Sequence, residues 1–269
     1  MALIEVDGVE KSFASRHGTI KIMADISFDV ANNDFLAIVG PSGSGKSTLL
    51  RLIQGLDRPT AGEVRFRGVP VVRASQEMAM VFQNFALFPW LTVEENVAFG
   101  LHARGWTEDR IAAQIERYIS VTGLVGFEEA YPRELSGGMR QRVGLARALA
   151  VEPSVLLMDE PFSALDPLTA ESLREEVLQL WRDPALPPDA VVLVTHNIEE
   201  ALVMADRILV LSRRPAKILA GVLVQLPRPR DRKSEAFYEL TDYVYSLITE
   251  APGALKAGRE EPTPAGGAR

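Results

Sequence analysis

A glycine-rich stretch at residues 40–48 constrains the fold of this chain more than any other part of the sequence. Its residues are Gly40, Pro41, Ser42, Gly43, Ser44, Gly45, Lys46, Ser47 and Thr48, which fit the pattern G-x-x-x-x-G-K-[ST] of a phosphate-binding loop. A short apolar run with strand character precedes the loop, and a helix-like run that stops at Gly55 follows it. Strand, glycine loop and helix in this order are the context that the motif requires, so the sequence predicts an α/β core built around a bound phosphate group.

The residue types of the loop suit that chemistry. Glycines let the backbone curl until successive N–H groups point at phosphate oxygens, and the helix N-terminus adds its partial positive charge. We expect Lys46 to reach the terminal phosphates and the Ser47 hydroxyl to bind Mg²⁺. The alternative is a glycine-rich turn that matches the pattern by chance.

Composition excludes several classes of protein. Of the 269 residues, 47% are hydrophobic, which is enough for a substantial core. The net charge is −7 with both signs mixed along the chain, which argues against a nucleic-acid partner. There are no cysteines, and the start shows no basic segment followed by an apolar run, as a signal peptide would. No apolar stretch approaches the roughly 20 residues of a membrane span, so we expect a soluble chain that reaches a membrane only through other chains.

Two acidic residues, Asp159 and Glu160, directly follow a continuously apolar run of the kind found in strands buried on both faces. Open α/β sheets place their ligands at this end of the strand. One carboxylate can hold Mg²⁺ while the next polarises an attacking water. The alternative is two acids that cap a turn, and the phosphate loop at residues 40–48 of the same chain argues against it.

A second glycine motif occurs at residues 135–141, Leu-Ser-Gly-Gly-Met-Arg-Gln. Gly137 and Gly138 open a helix, so Ser136 and the first backbone N–H groups would form another anion site. The alternative is a glycine turn before an ordinary helix. One chain with two separate phosphate-binding helix starts needs an explanation.

Together these motifs resemble those of the nucleotide-binding subunits of ATP-binding cassette (ABC) transporters. In the family's order they are Walker A at residues 40–48, the Q-loop glutamine Gln83, the signature motif at 135–141, Walker B at 155–160, the D-loop at 163–166 and the switch histidine His196. The resemblance covers about residues 3–226. It implies a P-loop NTPase fold with a mostly parallel sheet, an antiparallel β subdomain and a helical insertion.

The resemblance also implies an ATPase that uses ATP and Mg²⁺ and pairs head to tail with a second copy of itself. Each nucleotide would lie between Walker A of one copy and Ser136, Gly137 and Gly138 of the other. Glu160 would be the general base, and His196 would contact the terminal phosphate. The metal ligands would be Ser47, Gln83 and Asp159, with Gln83 also linking the site to the transmembrane partner. Phe13 would stack on the adenine, and Asp166 would complete the nucleotide site.

Two positions depart from the family's common pattern. The residue after the switch histidine is commonly Asp and is Asn197 here, for which we expect a small effect because the imidazole makes the contact. The stacking aromatic is often Tyr and is Phe13 here. Stacking tolerates different bases, so strict preference for ATP over GTP is not assured.

The predicted domain organisation has a cassette at residues 1–226 and a C-terminal extension at 227–269. The core comprises residues 1–83 and 151–226, interrupted by a helical signature subdomain at 84–150. In the extension, an apolar stripe of Phe237, Leu240, Val244, Leu247 and Ile248 predicts a helix over about 234–249 that packs on the cassette or on its twin. The last stretch, rich in Ala, Gly and Pro, is expected to be disordered.

Three stretches are similar to importers of nitrate, sulfonate, taurine and related small solutes: residues 88–97, 214–218 and 227–231. This similarity implies an importer with permease subunits, a solute-binding protein acting indirectly, and a peripheral location at the cytoplasmic face of the inner or plasma membrane. Phe85, Phe88 and Trp90 either pack the helical insertion or line a groove for a permease helix. An exporter ATPase, or a soluble ABC ATPase without a transport role, is the alternative function.

Overall fold

The structure is a computed structural model that describes residues 2–16, 18–183 and 188–249. Its strands are β1 (Ala2–Ser15), β2 (Gly18–Ala31), β3 (Phe35–Val39), β4 (Ala61–Phe66), β5 (Val69–Pro70), β6 (Met78–Val81), β7 (Val155–Asp159), β8 (Ala190–Thr195), β9 (Arg207–Leu211) and β10 (Ile218–Leu223). Its helices are α1 (Lys46–Gln54), α2 (Val93–Ala103), α3 (Glu108–Val121), α4 (Gly137–Ala150), α5 (Pro167–Arg182), α6 (Ile198–Met204) and α7 (Glu235–Thr249), with a short 3₁₀ turn at Pro132–Glu134. The tail predicted to be disordered, residues 251–269, lies outside the described residues.

A six-stranded sheet in the order β10-β9-β3-β8-β7-β6 forms the centre of the molecule. The pairs from β9 to β6 are parallel, and only β10, at one edge of this sheet, runs antiparallel to its neighbour. Every residue of β3, β7 and β8 is buried, as expected for parallel strands covered on both faces. Because these strands are parallel, their carboxyl ends meet at one edge of the sheet.

A second, antiparallel sheet in the order β2-β1-β4-β5 packs on one face of the central sheet. Leu36 and Ile38 of β3 point to this side and share a buried cluster with Leu49 of α1 and with Ile4 and Ile26 of the antiparallel sheet. Alternate residues of β3 point to the opposite face, into a cluster built mainly from helices. The mixed α/β architecture with an antiparallel subdomain and helical region, predicted from the motifs, is confirmed.

The helical region comprises α2, α3 and α4, which contact one another. Ile111, Ile115 and Ile119 of α3 are buried, as their spacing of four predicts. Thr107 occupies the N-cap position of this helix, but its side chain makes no capping hydrogen bond. Thr92 forms a full capping box with Glu95 at the start of α2.

The C-terminal helix α7 packs against the cassette of its own chain. Phe237 is 1% exposed and Val244 is fully buried, while Leu240, Leu247 and Ile248 pack partly buried against the same cluster. The predicted apolar stripe therefore covers the cassette, with α6 as the main helical contact. The preceding strand is shorter than the alternation over residues 218–226 suggests, since β10 ends at Leu223.

Two arginines fix the segment between β10 and α7. Arg228 donates to the Met204 carbonyl at 2.6 Å, and Arg230 donates to the carbonyls of Leu202 and Ala205 at 2.5 Å each. These carbonyls belong to the last turn of α6, where a helix leaves acceptors without partners. Burial, together with the charge of Arg228, lowers the pKa of Arg230 to about 10. The two guanidinium groups therefore cap α6 from outside the helix.

No helix in the described part of the chain is both long and apolar enough to cross a lipid bilayer.

Candidate nucleotide site

The phosphate loop joins the end of β3 to the start of α1 at the carboxyl edge of the central sheet. Gly43 and Gly45 have φ values of 76° and 99°, in the left-handed region that favours glycine. Gly45 also leaves no room for a side chain, since a Cβ there would lie 2.6 Å from Cγ2 of Ile22. At the first position, a Cβ on Gly40 would lie 2.9 Å from the Leu211 carbonyl oxygen. The glycines of this loop are thus required by φ and by close packing.

Lys46 is buried, and its amine bonds to the loop itself. Nζ donates to the carbonyls of Gly40 and Pro41 at 3.0 and 3.2 Å and lies 3.9 Å from a carboxylate oxygen of Glu160. Burial lowers the pKa of Lys46, and the charges of Glu160 and Asp159 act in the opposite direction. The amine is therefore held at the loop, where it can turn towards an incoming phosphate.

Asp159 ends β7 and lies against the first turn of α1. The Ser47 hydroxyl donates to Oδ1 of Asp159 at 2.7 Å. Burial raises the pKa of Asp159, and the hydrogen bond from Ser47 lowers it in part. A carboxylate and a hydroxyl side by side are oxygen donors of the kind that hard divalent cations prefer.

Glu160 has a φ of 46°, a strained conformation for a residue with a side chain. Its backbone N–H donates to the Val194 carbonyl at 2.9 Å. The carboxylate lies between two cationic or protonatable groups, because Oε2 is 3.1 Å from Nδ1 of His196 and Oε1 is 3.9 Å from Nζ of Lys46. His196 follows β8 directly and is half exposed. The structure thus brings Lys46, Ser47, Asp159, Glu160 and His196 together in one site.

Gln83 lies at the same edge of the sheet. It follows β6, which pairs with β7 through Val81 and Met158, so Gln83 and Glu160 are each two residues beyond the same register pair. The side chain of Gln83 is exposed. The two residues that follow Asn84 have positive φ values, 62° and 46°, and their carbonyls accept hydrogen bonds from Arg147 of α4 at 3.1 and 2.7 Å. The segment after Gln83 is therefore tied to the helix that begins with the second glycine motif.

That second motif lies apart from the phosphate loop of the same chain. Ser136 is the N-cap of α4, and its hydroxyl accepts a hydrogen bond from the Met139 N–H at 3.2 Å. A Cβ on Gly138 would lie 2.4 Å from Cγ2 of Thr169 in α5, whereas a Cβ on Gly137 would meet Leu165 at an ordinary 3.5 Å. Among the described residues, no hydrogen bond or ion pair joins residues 136–138 to residues 40–48. Asp166 caps α5 through the Thr169 N–H at 3.1 Å.

Phe13 lies on the β1–β2 hairpin beside the loop. It pairs in register with Ile20, two residues before the Ile22 side chain that packs on Gly45. The ring is 42% exposed, and Nζ of Lys11 lies 4.8 Å from its centroid. Lys11 is itself fixed by Asp57 at 2.6 Å. The cation orients the ring, and enough of its surface stays exposed for a base to stack on it.

Sequence reasoning assigned no contact to two residues that support this site. Arg214 donates to the Gly43 carbonyl through Nη2 at 2.8 Å and Nε at 3.2 Å. Asn197 caps α6, since its side-chain oxygen accepts from the Glu200 N–H at 3.2 Å. Asn and Asp cap helices equally well, which gives a physical reason for Asn at the position where Asp is common. The sequence did point to Arg214, because it lies in residues 214–218, one of the three stretches that are similar to importers. That similarity assigns no role to the residue.

Comparison with known proteins identifies the family of the chain. A family model described as ABC transporter matches residues 23–163. The chain belongs to this family. It is 41% identical over 254 residues to the nitrate import ATP-binding protein NrtD of Synechocystis, covering 91% of this chain and 94% of the relative. It is 40% identical over 237 residues to the aliphatic sulfonates import ATP-binding protein SsuB of Bacillus cereus, covering 88% and 92%.

Among solved structures, the ABC chain resembles the ATP-binding cassette MJ0796 in a dimeric, post-hydrolysis state bound to ADP and inorganic phosphate. The TM-score is 0.73 with 30% identity, and the match covers 82% of this chain and 99% of the other. The ABC resemblance and the ATPase activity predicted from the motifs are confirmed. This ABC protein is an ATP-binding and ATP-hydrolysing transporter subunit, and the cassette MJ0796 that it resembles is dimeric.

Proposed function

We propose that this chain hydrolyses ATP with Mg²⁺ to power an importer of a small solute of the nitrate, sulfonate or taurine class. The observation that carries the catalytic part is the position of the Glu160 carboxylate, between the Lys46 amine and the His196 imidazole at the end of β7. The relatives named for import support the direction of transport. The exporter and non-transport alternatives gain no support from them.

The residues present fit a metal that arrives with the nucleotide. Within the described ranges there is no cluster of three or more His, Asp, Glu or Cys side chains that could hold a metal ion alone. Mg²⁺ is commonly bound by one or two carboxylates together with substrate phosphates. Ser47 and Asp159 would hold it, with Gln83 at the same edge of the sheet. The bound ion would neutralise charge that develops on the phosphates during hydrolysis.

Each side chain of the site has a distinct task in the proposed reaction. Lys46 leaves the carbonyls of its own loop and binds the terminal phosphates. Glu160 accepts a proton from the attacking water, and its strained backbone keeps the carboxylate at the edge of the sheet rather than along the following turn. His196 holds Glu160 and contacts the terminal phosphate. Phe13 stacks on the adenine.

The second glycine motif supports a site completed by another copy of the chain. In the part of the chain that the structure describes, Ser136, Gly137 and Gly138 make no hydrogen bond or ion pair with the phosphate loop of their own chain. The backbone N–H groups of Gly137 and Gly138 stand in the first turn of α4, where a helix has no internal partners for them. In a head-to-tail dimer these donors would meet the terminal phosphate bound by the partner, and Asp166 would lie at the same interface.

A groove between α2 and α3 supports a permease partner. It has a volume of about 560 Å³ and is lined by the buried Ala98 and Ile111, the half-exposed Phe99 and the exposed acids Glu94, Glu95 and Glu108. Phe88 packs on Phe99 with 4.3 Å between ring centroids, while Trp90 is 69% exposed. We therefore assign different roles to two of the aromatic residues after Gln83. Phe88 packs on α2, and the exposed Trp90 is available to a permease helix. A groove lined by apolar and acidic side chains fits an amphipathic permease segment that carries basic residues.

Purification of the tagged chain from its native membranes tests this function. We expect a pair of permease subunits to copurify at the cytoplasmic face, and a solute-binding protein to join them when its ligand is present. The ligand of that receptor then names the substrate. Recovery of the chain with ribosomal or DNA-repair proteins, and without permease subunits, would refute the transport role. Import would be refuted if the complex contained no solute-binding protein and transported solute outward in vesicles.

A further inference from the structure

The turn after β9 lies directly against the phosphate loop. β9 and β3 are parallel neighbours with Val210 opposite Val39, so both strands end at the same edge of the sheet. The turn is closed by the Ser212 N–H, which donates to the Lys217 carbonyl at 2.9 Å. It is also joined to β2, because the Ala216 N–H donates to the Ile22 carbonyl at 2.8 Å. The turn is therefore fixed on two sides, independently of Arg214.

From this fixed turn, Arg214 reaches across to the outside of the phosphate loop. Two of its guanidinium nitrogens, Nη2 and Nε, donate to the same oxygen, the Gly43 carbonyl, at 2.8 and 3.2 Å. Both contacts are exposed to solvent. Residues 43 and 214 lie 171 positions apart in the chain, so this contact exists only in the folded protein.

The direction of the Gly43 carbonyl decides the direction of a donor inside the loop. In a trans peptide the carbonyl and the next N–H point to opposite sides. Holding the Gly43 oxygen outward therefore directs the Ser44 N–H inward, where it donates to the Pro41 carbonyl at 3.1 Å. The same carbonyl accepts from Nζ of Lys46 at 3.2 Å. Two donors suited to a phosphate group thus converge inside the loop, and one of them is oriented from outside.

The loop needs such a support because of its composition. Gly43 can adopt positive and negative φ about equally well, so its own sequence does not select the observed value of 76°. A guanidinium group presents donors in a rigid fork, which fixes an acceptor better than a single flexible ammonium does. The two hydrogen bonds from Arg214 select one orientation of the Gly43–Ser44 peptide.

We propose that Arg214 is a positioning residue that holds the phosphate loop in its nucleotide-binding conformation through the Gly43 carbonyl. The proposal rests on the nucleotide site described above and adds a residue outside its motifs. Arg214 acts on the loop backbone and not on the nucleotide. It should therefore affect ATP and ADP alike, since both place phosphates in the loop.

The test compares full-length Arg214→Gln and Arg214→Lys with Arg213→Gln, a matched control that removes the same charge one residue earlier. Binding of ATP and ADP is measured by calorimetry, and turnover is measured at saturating ATP. We expect Arg214→Gln to weaken both nucleotides roughly 10- to 100-fold, the worth of a charge-assisted hydrogen bond. Arg214→Lys should lie between it and the wild type, and kcat should change much less than KM. Arg213→Gln should bind as the wild type does.

A second measurement needs no nucleotide. Hydrogen exchange of the amides in residues 42–46 should be faster in Arg214→Gln than in the wild type and the Arg213→Gln control, with the melting temperature of the whole domain little changed. Weaker binding of ATP but not ADP would overturn the proposal, since it would place the guanidinium on the terminal phosphate. Unchanged exchange and affinity would also overturn it. If the wild type bound no nucleotide, the proposed function would be refuted. The hydrogen-exchange result would then show by itself whether Arg214 holds the phosphate loop.

Discussion

We expect the replacement Gly137→Asp to leave the folding stability of a single chain unchanged and to prevent two chains from associating. A Cβ at this position would lie 3.5 Å from Leu165, an ordinary contact, and its φ is outside the left-handed region. Gly137 is the first residue of α4, where an acid interacts favourably with the helix dipole by about 0.3–1 kcal/mol. The single chain should therefore melt at an unchanged or slightly higher temperature. Its own phosphate loop should bind ATP as before.

Closure of the proposed dimer should fail for an electrostatic reason. In that dimer the new carboxylate would lie about 4 Å from the terminal phosphate held by the partner, where two like charges repel by about 4 kcal/mol at an effective dielectric constant of about 20. This repulsion corresponds to a roughly 10³-fold weaker ATP-dependent association. Hydrolysis should fall with it, because the composite site never forms. The variant Gly137→Asn has nearly the same size without the charge and should lose much less.

Light scattering with a slowly hydrolysed ATP analogue measures association, and phosphate release measures turnover. Mixing Gly137→Asp with Lys46→Ala gives the sharper test, because a heterodimer then has one intact composite site and one with both defects. The mixture should associate with ATP better than either variant alone. A mixture that does no better, or a Gly137→Asp chain that hydrolyses ATP at the wild-type rate, would refute the shared site. Equal defects in the Asp and Asn variants would refute the electrostatic reasoning.

Three further predictions follow from the geometry. Glu160→Gln should bind ATP normally but hydrolyse it roughly 10²- to 10⁴-fold more slowly, and wild-type turnover would exclude Glu160 as the base. Phe237 is 1% exposed, so Phe237→Ala should lower the free energy of unfolding in urea by about 3–5 kcal/mol. The control Tyr238→Ala removes a side chain that is 57% exposed and should lower it by at most about 0.5 kcal/mol. Equal losses in the two variants would contradict the packing of α7. Burial raises the pKa of Glu200 above its ordinary value of 4.5. Between that value and the raised pKa, the folded chain therefore binds more protons than the unfolded chain. The free energy of unfolding should fall as the pH rises through this window. When the free energy of unfolding is measured against pH, the wild type should lose stability relative to Glu200→Gln through this window and then level off. A gain in stability relative to Glu200→Gln would contradict the raised pKa of Glu200.

Local patterns in the sequence were sufficient for much of the fold. Gly55 ends α1 in the left-handed conformation, and Asp166 with Pro167 begins α5, because such signals depend only on neighbouring residues.

Contacts between distant segments were not predictable in the same way. The hydrogen bonds from Arg214 to Gly43 depend on two strands ending side by side, and no periodicity in either segment reveals that neighbour. The buried pair of Arg174 and Glu200, 3.4 Å apart, joins two helices for the same reason. The separation of the two glycine motifs also follows from tertiary structure, since it depends on how α4 packs against α5. Side-chain chemistry was readable from the sequence, whereas the partner of each long side chain was not.

The contacts of Arg228 and Arg230 decide how truncations of this protein should be designed. A chain cut after Leu226 loses α7 and, with it, both groups that satisfy the last carbonyls of α6. Because α6 starts two residues after His196, such a deletion perturbs the segment that carries a proposed catalytic residue. Lower activity after that cut would therefore report damage to α6 and to the segment that carries His196. A cut after Asp231 keeps both arginines, so it shows the effect of removing α7 without disturbing the end of α6.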